Sequence, residues 1–447
     1  MQNWPESFLH RMKQELGDEF HAFVNSLNTP APVSIRVNPF KKNYTVDSLE
    51  KVPWSVQGYY LNERPAFIFD PAFHAGMYYV QEASSMFLEA VYTQVFSNSA
   101  PAFVLDACAA PGGKSSHLLS LIPAESLLIS NEVIPKRNAI LRQNLVKWGV
   151  DNVIVTQNET KDFSQLDNFF DLVVVDAPCS GEGLFRRDPS AAEEWSEAAV
   201  MNCALRQKNI LEHIIPSLKP GGVLIYSTCT FESVEDEDQI RMLIDSGEME
   251  LIEMNFSFNE VVKTEYGFRF YPHRVKGEGF FISALRKMGD EMSTRKFNKK
   301  NSLKNVSGSV AGYIEHPEKY LCSIADDRVY LIPSSFAQVF MLLSEKFFLR
   351  QAGIFAGNMK GKDFVPSHDL SLSIHLKKEE RLYNLEADQA LLFMKGEPVK
   401  LEGAQKGWQL AAYKDCPLGW VKVLDGRVNN YLPKEWRIQK DLPIDSR

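Results

Sequence analysis

The sequence predicts a doubly wound α/β domain for the central part of the chain, with helices covering both faces of a parallel sheet. Two observations lead to this fold class. From residue 103 onward, short and continuously apolar strand patterns recur along the sequence. Segments with helical spacing alternate with them, as a parallel sheet with crossover helices requires. Ligands of such a domain bind at the carboxyl ends of its strands.

An N-terminal α/β extension precedes this domain. Residues 7–27 carry apolar side chains at helical spacing, and Ser7 is suited to cap that helix; the apolar positions are Phe8, Met12, Leu16, Phe20 and Phe23. The Pro-rich sequence NTPAP then leads into a short strand pattern, VSIRVNPF, at residues 33–40. Residues 75–92, AGMYYVQEASSMFLEAVY, predict a turn followed by a helix.

The elements of the central domain follow in a regular order. The strand patterns are FVLDA, SLLIS, NVIVT, DLVVVD and VLIYST, starting at residues 103, 126, 152, 171 and 223. Helical patterns follow at residues 114–121, at 135–149 with Pro135 in the first turn, at 197–218 and at 233–245. Ser233 and Asp236 have the spacing of a capping box at the start of the last helix.

A basic segment follows the central domain. Residues 286–305 hold seven Lys or Arg against two Asp or Glu, so this segment is either a solvated tether or an RNA contact. Two smaller segments complete the chain, and the last is strand-like, with aromatic residues among Lys and Arg. We therefore expect four regions: 1–75, 76–288, 289–375 and 376–447.

Composition limits the classes of function. The formal charge of the 447 residues is 49 − 57 = −8, so binding of a nucleic acid requires local basic patches. No apolar run approaches the length of a membrane helix, and the first residues lack the features of a signal peptide. The six cysteines have no C-x-x-C spacing, which argues against disulfides and a metal site. We expect a cytoplasmic protein.

The sequence LDACAAPGGKSS, residues 105–116, predicts a ligand-binding loop. Asp106 ends a strand, and Gly112 and Gly113 allow the backbone to approach a ligand closely before Lys114 opens the helix. The loop matches neither the G-x-G-x-x-G nor the P-loop pattern, which disfavours a nicotinamide dehydrogenase. A single Lys suits a small carboxylate. The alternative is an ordinary turn between a strand and a helix.

Glu132 follows the second strand of the domain. An acidic residue at this place can accept hydrogen bonds from the hydroxyl groups of a ribose. The alternative is a carboxylate that serves the first turn of the next helix. Together, the Gly loop and Glu132 indicate an adenosine-type cofactor with a carboxylate, and S-adenosylmethionine fits both features.

Two cysteines follow neighbouring strands of the predicted sheet. Cys179 comes after the fourth strand, in VDAPCSGEG, and Cys229 after the fifth, in IYSTCTFES. Forming the reactive thiolate at pH 7 costs roughly 2 kcal/mol, which an enzyme can offset. The other four cysteines are expected to be unreactive core or loop residues. Asp176, three residues before Cys179, could hydrogen-bond the edge of a base or cap its own loop.

These motifs resemble the Nop/Sun family of RNA cytosine-5 methyltransferases. The matching sequences are SIRVN, GMYYVQEASSM, DACAAPGGKSS, DAPCSGEG, YSTCTFESVEDE and RFYPHRVKGEGFFISALRK. The resemblance covers roughly residues 30–290. The tail resembles the C-terminal extension of bacterial members that methylate small-subunit ribosomal RNA, which implies RNA-binding domains of which the last is PUA-like.

The resemblance implies a role for each site residue. Cys229 would add to carbon 6 of the cytosine, Cys179 would assist release of the product, and Asp176 would hold ring nitrogen 3 and the amino group. The cofactor would be S-adenosylmethionine. Its methionine end would lie on Cys108, Ala109, Ala110, Pro111, Gly112, Gly113 and Lys114, with Lys114 on the carboxylate. Glu132 and Asp176 would also lie at the cofactor, with Glu132 on its ribose. The adenine would meet Glu159 or, as the alternative, Asn158.

The implied activity is methylation of carbon 5 of cytosine in 16S ribosomal RNA. The substrate would be the free RNA or the small ribosomal subunit, and the enzyme would act as a monomer without DNA or a membrane. Transfer RNA is an alternative substrate. A DNA cytosine methyltransferase is disfavoured by the separate Thr-Cys-Thr motif and the long tail, and an inactive assembly factor by the intact pair of cysteines, Lys114 and Asp176.

Overall fold

The computed structural model describes residues 4–41, 43–46, 48–290, 303–306, 308–378 and 381–442. Most of the basic segment predicted over residues 286–305 lies outside them. The N-terminal region contains three helices and a three-stranded antiparallel sheet of order β2-β1-β3. Its elements are α1 (Glu6–Leu16), α2 (Phe20–Leu27), β1 (Val33–Val37), β2 (Gly58–Leu61), α3 (Pro71–His74) and β3 (Tyr78–Val80).

The N-terminal helical pattern differs from the prediction in two ways. Gly17, with φ of +52°, ends α1, and a 3-10 turn separates it from α2. The residue before α1 is Pro5, and no side chain caps this end, so the predicted N-cap at Ser7 is wrong because Ser7 already lies inside the helix. Phe8, Met12 and Phe23 are nevertheless buried together, because both helices turn their apolar faces to one core.

The central domain is built on a large mixed sheet. Its parallel core has the order β8-β7-β4-β5-β6, and the antiparallel strands β12, β11 and β10 continue from β8, with β9 paired to β12. The strands are β4 (Phe103–Asp106), β5 (Leu127–Asn131), β6 (Val153–Thr156), β7 (Phe170–Asp176), β8 (Leu218–Thr228), β9 (Met249–Leu251), β10 (Val262–Lys263), β11 (Phe268–Phe270) and β12 (Phe280–Lys287).

Helices cover both faces of this sheet, which confirms the predicted fold class. One apolar core packs α4, α5 and α6 on one face, and a second packs α8 and α9 on the other. The helices are α4 (Leu88–Val95), α5 (Gly113–Leu121), α6 (Pro135–Trp148), α7 (Pro189–Glu194), α8 (Glu197–Ile214) and α9 (Glu237–Asp245). The strand order reverses between β4 and β7, where ligands of such sheets bind.

The C-terminal half adds two smaller sheets, of order β13-β14-β15-β17-β18 and β19-β20-β21-β22. Its strands are β13 (Lys304–Asn305), β14 (Tyr320–Ala325), β15 (Arg328–Pro333), β16 (Leu349–Ala352), β17 (Ile354–Lys360), β18 (Asp363–Pro366), β19 (Leu382–Asn384), β20 (Gly407–Tyr413), β21 (Cys416–Leu424) and β22 (Arg427–Asn430). Its helices are α10 (Gly308–Ala311), α11 (Ala337–Lys346), α12 (His368–Leu372) and α13 (Ala387–Lys395).

Two strands cross the region boundaries expected from the sequence. β3 lies beyond residue 75 but pairs with β1, so the predicted turn at residues 75–80 contains a strand of the N-terminal sheet. β16 lies in the C-terminal half but pairs antiparallel with β6 and extends the large sheet. The division at residues 75, 288 and 375 remains a proposal. Within the described ranges, the structure contains no helix that is long and apolar enough to span a membrane.

The predicted capping box at α9 is wrong. The helix begins at Glu237, and no side chain caps its N-terminus. The carboxylate of Asp236 instead accepts hydrogen bonds from the Thr228 hydroxyl and from Arg269, with Arg269 Nη2 at 3.0 Å. The carboxylate that local spacing assigned to the helix end therefore pairs with the buried guanidinium of Arg269 on β11.

Candidate active site

Cys179 and Cys229 lie at the carboxyl ends of β7 and β8, which are neighbours in the parallel core of the sheet. Their sulfur atoms are 3.0 Å apart. The backbone N–H of Cys229 also donates to the sulfur of Cys179, at 3.3 Å. The predicted placement of the two thiols at adjacent strand ends is therefore confirmed, while their separate roles remain predictions.

Polar side chains behind the thiols hold both cysteine loops. The backbone N–H of Ser180 donates to the Glu235 carboxylate at 3.0 Å, and the hydroxyls of Ser180 and Thr230 are 2.8 Å apart. The amide of Gln207 donates to Glu235 at 2.8 Å and to the carbonyl oxygen of Pro178 at 3.0 Å. Each loop is thus tied to the other by side chains that are themselves fixed.

Gly183 brings the backbones of the two loops into contact. Its N–H donates to the carbonyl oxygen of Cys229 at 2.9 Å, and its own carbonyl oxygen accepts from Gly279 at 3.3 Å. A Cβ atom at residue 183 would lie 2.4 Å from the Gly279 oxygen and 2.8 Å from the Cys229 oxygen. Glycine is therefore required in the DAPCSGEG motif because no side chain fits between the two loops.

The two thiols cannot ionise independently. The hydrogen bond to Cys229 and burial raise the pKa of the Cys179 thiol well above its ordinary value. Two thiolates at this distance would repel strongly, which disfavours ionisation of both groups at once. A protonated Cys179 thiol can donate a hydrogen bond to the sulfur of Cys229 at 3.0 Å.

Asp176 and Lys114 form an ion pair beside the thiols. The Lys114 ammonium lies 2.8 Å from Asp176 Oδ1 and 5.0 Å from the centre of the Phe280 ring. The Ser227 hydroxyl donates to the same carboxylate oxygen at 2.9 Å. Asp176 ends β7, and its side chain is 36% exposed, so it can meet a base in the site. The sequence predicted both residues but did not predict that they pair.

The loop over residues 108–114 is a preformed turn. Gly112 has a φ of +108°, in the left-handed region that favours glycine, and α5 begins directly after it. Side chains of α6 hold the carbonyl groups of the loop: Arg137 Nη2 donates to Ala110 at 2.9 Å, and Asn144 Nδ2 donates to Pro111 at 2.8 Å. The backbone N–H groups at the start of α5 remain available to a ligand.

Asp106 is a buried carboxyl at the end of β4, directly before this loop. Its Oδ2 accepts a hydrogen bond from the Ser115 hydroxyl at 2.6 Å, whereas its buried Oδ1 has no partner within the described part of the chain. Burial raises the pKa of Asp106 to about 7. An unpartnered carboxylate oxygen beside a Gly loop fits the ammonium of an amino-acid ligand, as S-adenosylmethionine carries. Burial likewise raises the pKa of the Cys108 thiol, which is consistent with an unreactive side chain.

Glu132 lies at the end of the second parallel strand, β5. One carboxylate oxygen accepts from the backbone N–H of Ile134 at 2.8 Å, and the other lies 3.2 Å from Arg137 Nη1. The side chain is therefore fixed at the first turn of α6, as one of the two interpretations of this residue expected. A fixed carboxylate can still accept a hydrogen bond from a ribose hydroxyl, so its role remains a prediction.

Asn158 and Glu159 follow the third parallel strand, β6. The Asn158 side-chain oxygen accepts from the backbone N–H of Phe348 at 3.0 Å, which joins it to the residue before β16. The backbone of Asn158 is bound on both sides by the Asn131 amide. Glu159 is exposed and begins a 3-10 turn. Both residues lie at the expected edge of the sheet, and the choice between them for an adenine remains open.

Arg36 of the SIRVN motif holds the C-terminal end of the loop over residues 108–114 and the first turn of α5. Its buried guanidinium donates to the Ser116 hydroxyl at 2.6 Å, to the Gly113 carbonyl oxygen at 3.3 Å and to the Gln81 side chain at 2.8 Å. It also lies over the Trp148 ring at 4.4 Å. The N-terminal extension therefore contributes directly to the geometry of the loop, which sequence reasoning did not assign.

Sequence reasoning also missed the residues that hold the cysteine loops. Glu182, Glu235 and Gln207 are buried behind the thiols, and Arg11 on α1 contacts Glu182. The two glutamates stand within the quoted cysteine motifs, which was the available signal. Arg11 and Gln207 had no sequence signal, because their partners are distant in the sequence.

A cavity of about 630 Å³ opens between the N-terminal extension and the central domain. Prolines and the cationic side chains of Arg64, Arg186 and Lys276 contribute to its wall. Arg186 also donates to the Gly277 carbonyl oxygen, two residues from Gly279, so the cavity adjoins the cysteine loops. Among the described residues, no group of His, Cys, Asp and Glu has the arrangement of a metal site.

Three family models match the chain. Residues 94–286 match 16S rRNA methyltransferase RsmB/F, and residues 4–83 match the N-terminal domain of 16S rRNA methyltransferase RsmF. Residues 380–438 match the methyltransferase RsmF PUA domain. These matches confirm the predicted Rossmann-like methyltransferase domain and the PUA-like domain at the C-terminal end.

Two curated relatives are similar over nearly their whole length. Ribosomal RNA small subunit methyltransferase F from Vibrio atlanticus is 31% identical over 471 residues, which span 98% of each chain. The protein of that name from Vibrio vulnificus strain YJ016 is 29% identical, again over 98% of each chain. A solved methyltransferase homolog from Pyrococcus horikoshii has a TM-score of 0.55 and 28% identity, covering 64% of this chain and 96% of its own.

Proposed function

The chain belongs to the RsmB/F family of 16S rRNA methyltransferases, and we propose that it transfers the methyl group of S-adenosylmethionine to carbon 5 of a cytosine in 16S ribosomal RNA. The observation that carries this chemistry is the pair of thiols 3.0 Å apart at the ligand edge of the sheet. Asp176 and Lys114 lie beside them. This arrangement can attack, hold and release a pyrimidine ring.

Carbon 5 of cytosine is too weak a nucleophile to react by itself, so the ring must first be activated. In the proposal, the Cys229 sulfur bonds to carbon 6, and the electrons of the carbon 5–carbon 6 double bond become available at carbon 5. The bound cofactor supplies an electrophilic methyl group on a sulfonium. Carbon 5 would take this methyl group as the bond between the methyl carbon and the sulfonium breaks. Water would then accept the carbon 5 proton, the double bond would form again, and Cys229 would leave carbon 6 as a thiolate.

Each remaining residue of the site has a role in the proposed reaction. Asp176 holds ring nitrogen 3 and the amino group, and so stabilises the charge that develops on the ring. Cys179, which keeps its proton, stabilises the Cys229 thiolate by donation and assists release of the product. Residues 108–114 bind the methionine end of the cofactor, Glu132 binds its ribose, and Glu159 or Asn158 meets its adenine.

The family and the domains around the site support the proposed substrate. The curated relatives are named for methylation of the small-subunit ribosomal RNA, and the PUA-like domain suits RNA. The target base must leave its stack to reach Cys229, at a cost of a few kcal/mol that contacts from the flanking domains offset. The protein would act as a monomer on free 16S RNA or on the small subunit; transfer RNA is the alternative.

Substitution of each cysteine tests the two roles. We expect Cys229→Ala to lower transfer of a labelled methyl group to 16S RNA by roughly 10⁴-fold or more, because the adduct cannot form. Cys179→Ala should accumulate a covalent protein–RNA adduct, seen as a band of reduced mobility in a denaturing gel.

Cys203→Ala is the matched control, because this cysteine lies on α8 outside the pair, and its activity should stay near that of the unaltered enzyme. Full activity of Cys229→Ala would refute the proposal, and an adduct in Cys229→Ala would reverse the two roles. Bisulfite sequencing of RNA from cells with and without the protein identifies the cytosine and separates ribosomal from transfer RNA.

A further inference from the structure

Arg11 on α1 contacts both loops that carry the thiols. Its Nη2 lies 2.6 Å and 2.7 Å from the two carboxylate oxygens of Glu182, three residues after Cys179. Its Nη1 donates to the carbonyl oxygen of Phe231 at 3.2 Å, two residues after Cys229. The same guanidinium lies 3.1 Å from Glu232. A helix of the N-terminal extension therefore bridges the two cysteine loops.

The partners of Arg11 also bind each other. The backbone N–H of Phe231 donates to Glu182 Oε2 at 3.2 Å, and Arg269 donates to the Phe231 carbonyl oxygen at 2.6 Å. Both backbone groups of Phe231 are thus held by charged side chains. The Glu182 side chain is fully buried, whereas that of Arg11 is 27% exposed. Charge-assisted hydrogen bonds of this kind are among the strongest that fix a loop.

We infer that Arg11 is a positioning residue for the methyl transfer: through Glu182 and Phe231 it sets the separation of the Cys179 and Cys229 sulfurs. This inference rests on the proposed function. Arg11 itself does not contact either sulfur, so it acts only through the loops. The N-terminal helix α1 is then part of the framework that holds the two thiols.

Removal of the guanidinium leaves the buried carboxylate of Glu182 without its cation. Burial raises the pKa of Glu182, and the Arg11 guanidinium opposes that rise because it favours the ionised carboxylate. Without Arg11, this carboxyl either takes up a proton or turns toward water, and each change loosens its bond to Phe231. A displacement of about 1 Å in reacting groups can cost roughly 100-fold in rate.

The test compares substitution of Arg11 with substitution of Arg274, an arginine that binds a different residue of the N-terminal segment. Arg274 pairs with Glu19, just before α2, and both side chains are exposed. We expect Arg11→Ala to lower the single-turnover rate of methyl transfer roughly 100-fold. The dissociation constants for S-adenosylhomocysteine and for 16S RNA should change by less than about twofold. Arg274→Ala should retain the rate within about twofold.

Two further variants separate positioning from general stabilisation. Arg11→Lys should recover part of the rate, because an ammonium can pair with Glu182 but lacks the second arm that reaches Phe231. In the double variant Arg11→Ala with Glu182→Gln, the loss should be smaller than the product of the two single losses. Equal slowing by Arg11→Ala and Arg274→Ala, or no slowing by Arg11→Ala, would overturn the inference.

A readout without methyl transfer keeps this inference distinct from the proposed function. The rates at which iodoacetamide alkylates Cys179 and Cys229, located by mass spectrometry, should change several-fold in Arg11→Ala and stay unchanged in Arg274→Ala. If iodoacetamide alkylates the cysteines of the unaltered protein and of Arg11→Ala at different rates but the unaltered protein transfers no methyl group, the proposed function fails, while the effect of Arg11 on the position of the two sulfurs stands. Unchanged alkylation in Arg11→Ala contradicts the positioning role.

Discussion

At the scale of single residues, the carboxyl ends of the parallel strands hold two acidic groups, Cys179 and Asp106, whose pKa values are raised by their surroundings. The hydrogen bond to Cys229 and burial raise the pKa of the Cys179 thiol, and burial raises the pKa of Asp106 to about 7. Asp176, at the end of β7, pairs with Lys114. A carboxyl whose pKa is raised on folding binds protons more tightly in the folded protein, so its contribution to stability is lost as the pH rises toward 7. A ligand ammonium would favour the ionised form.

We therefore expect the affinity for S-adenosylhomocysteine to rise about tenfold between pH 6 and pH 8, because ionisation of Asp106 creates the acceptor for the ligand ammonium. Isothermal titration calorimetry at several pH values measures this change. Asp106→Asn should bind more weakly and without the pH dependence. The control Asp171→Asn, at the opposite end of the sheet, should keep the pH dependence of the affinity. The same pH dependence in Asp106→Asn would contradict the role of Asp106 as the acceptor for the ligand ammonium.

At the scale of elements, the large sheet is completed by the C-terminal half. β16 pairs with β6, and residues of α11 and the following turn enter the second core of the catalytic domain. Phe347 is buried there, with its ring centre 4.9 Å from that of Phe163, whereas the next residue, Phe348, is 57% exposed. The catalytic domain and the C-terminal half therefore share a core.

This shared core predicts opposite results for two adjacent phenylalanines. We expect Phe347→Ala to lower the free energy of unfolding by roughly 3–5 kcal/mol, because it leaves a cavity between α11 and the sheet. Phe348→Ala should change it by less than about 0.5 kcal/mol. Urea unfolding monitored by tryptophan fluorescence measures both, and equal effects would argue against the shared core.

For the whole molecule, the net charge of −8 requires RNA to be bound by local groups of cations. The cavity between the N-terminal extension and the catalytic domain offers such a group. Arg186 is already paired with Glu278 and Lys276 with Glu50, whereas Arg64 lies at the surface over the Phe67 ring, 5.6 Å from its centre. Arg64 is therefore the cation of this wall best suited to a phosphate.

We expect Arg64→Ala to weaken binding of 16S RNA and to reduce the slope of log affinity against log salt by about one, because one phosphate contact is lost. Fluorescence anisotropy at several salt concentrations measures the slope. Arg241→Ala is the matched control, since this exposed arginine pairs with Asp238 on α9. An equal reduction of the slope in both variants would show that the cavity has no special part in binding.

The sequence determined the parallel strands, the order of the motifs and the placement of both thiols at strand ends. Apolar runs and helical spacing are local patterns, so the five parallel strands and their crossover helices could be predicted from them. The motifs also indicated the family, in agreement with the match of residues 94–286 to the RsmB/F family model. The loop at Gly112 and the acidic ends of β5 and β7 followed from the same local evidence.

Only the tertiary structure decided how these parts are fixed. The distance of 3.0 Å between the thiols, the pairing of Lys114 with Asp176 and the contact of Arg11 with Glu182 join residues that are 50, 62 and 171 positions apart. Local spacing assigned Asp236 to a helix cap, but its carboxylate accepts a hydrogen bond from the guanidinium of Arg269 instead. A buried charged group pairs with whichever side chain the packing places next to it. These partners are distant in the sequence, so local patterns cannot predict them.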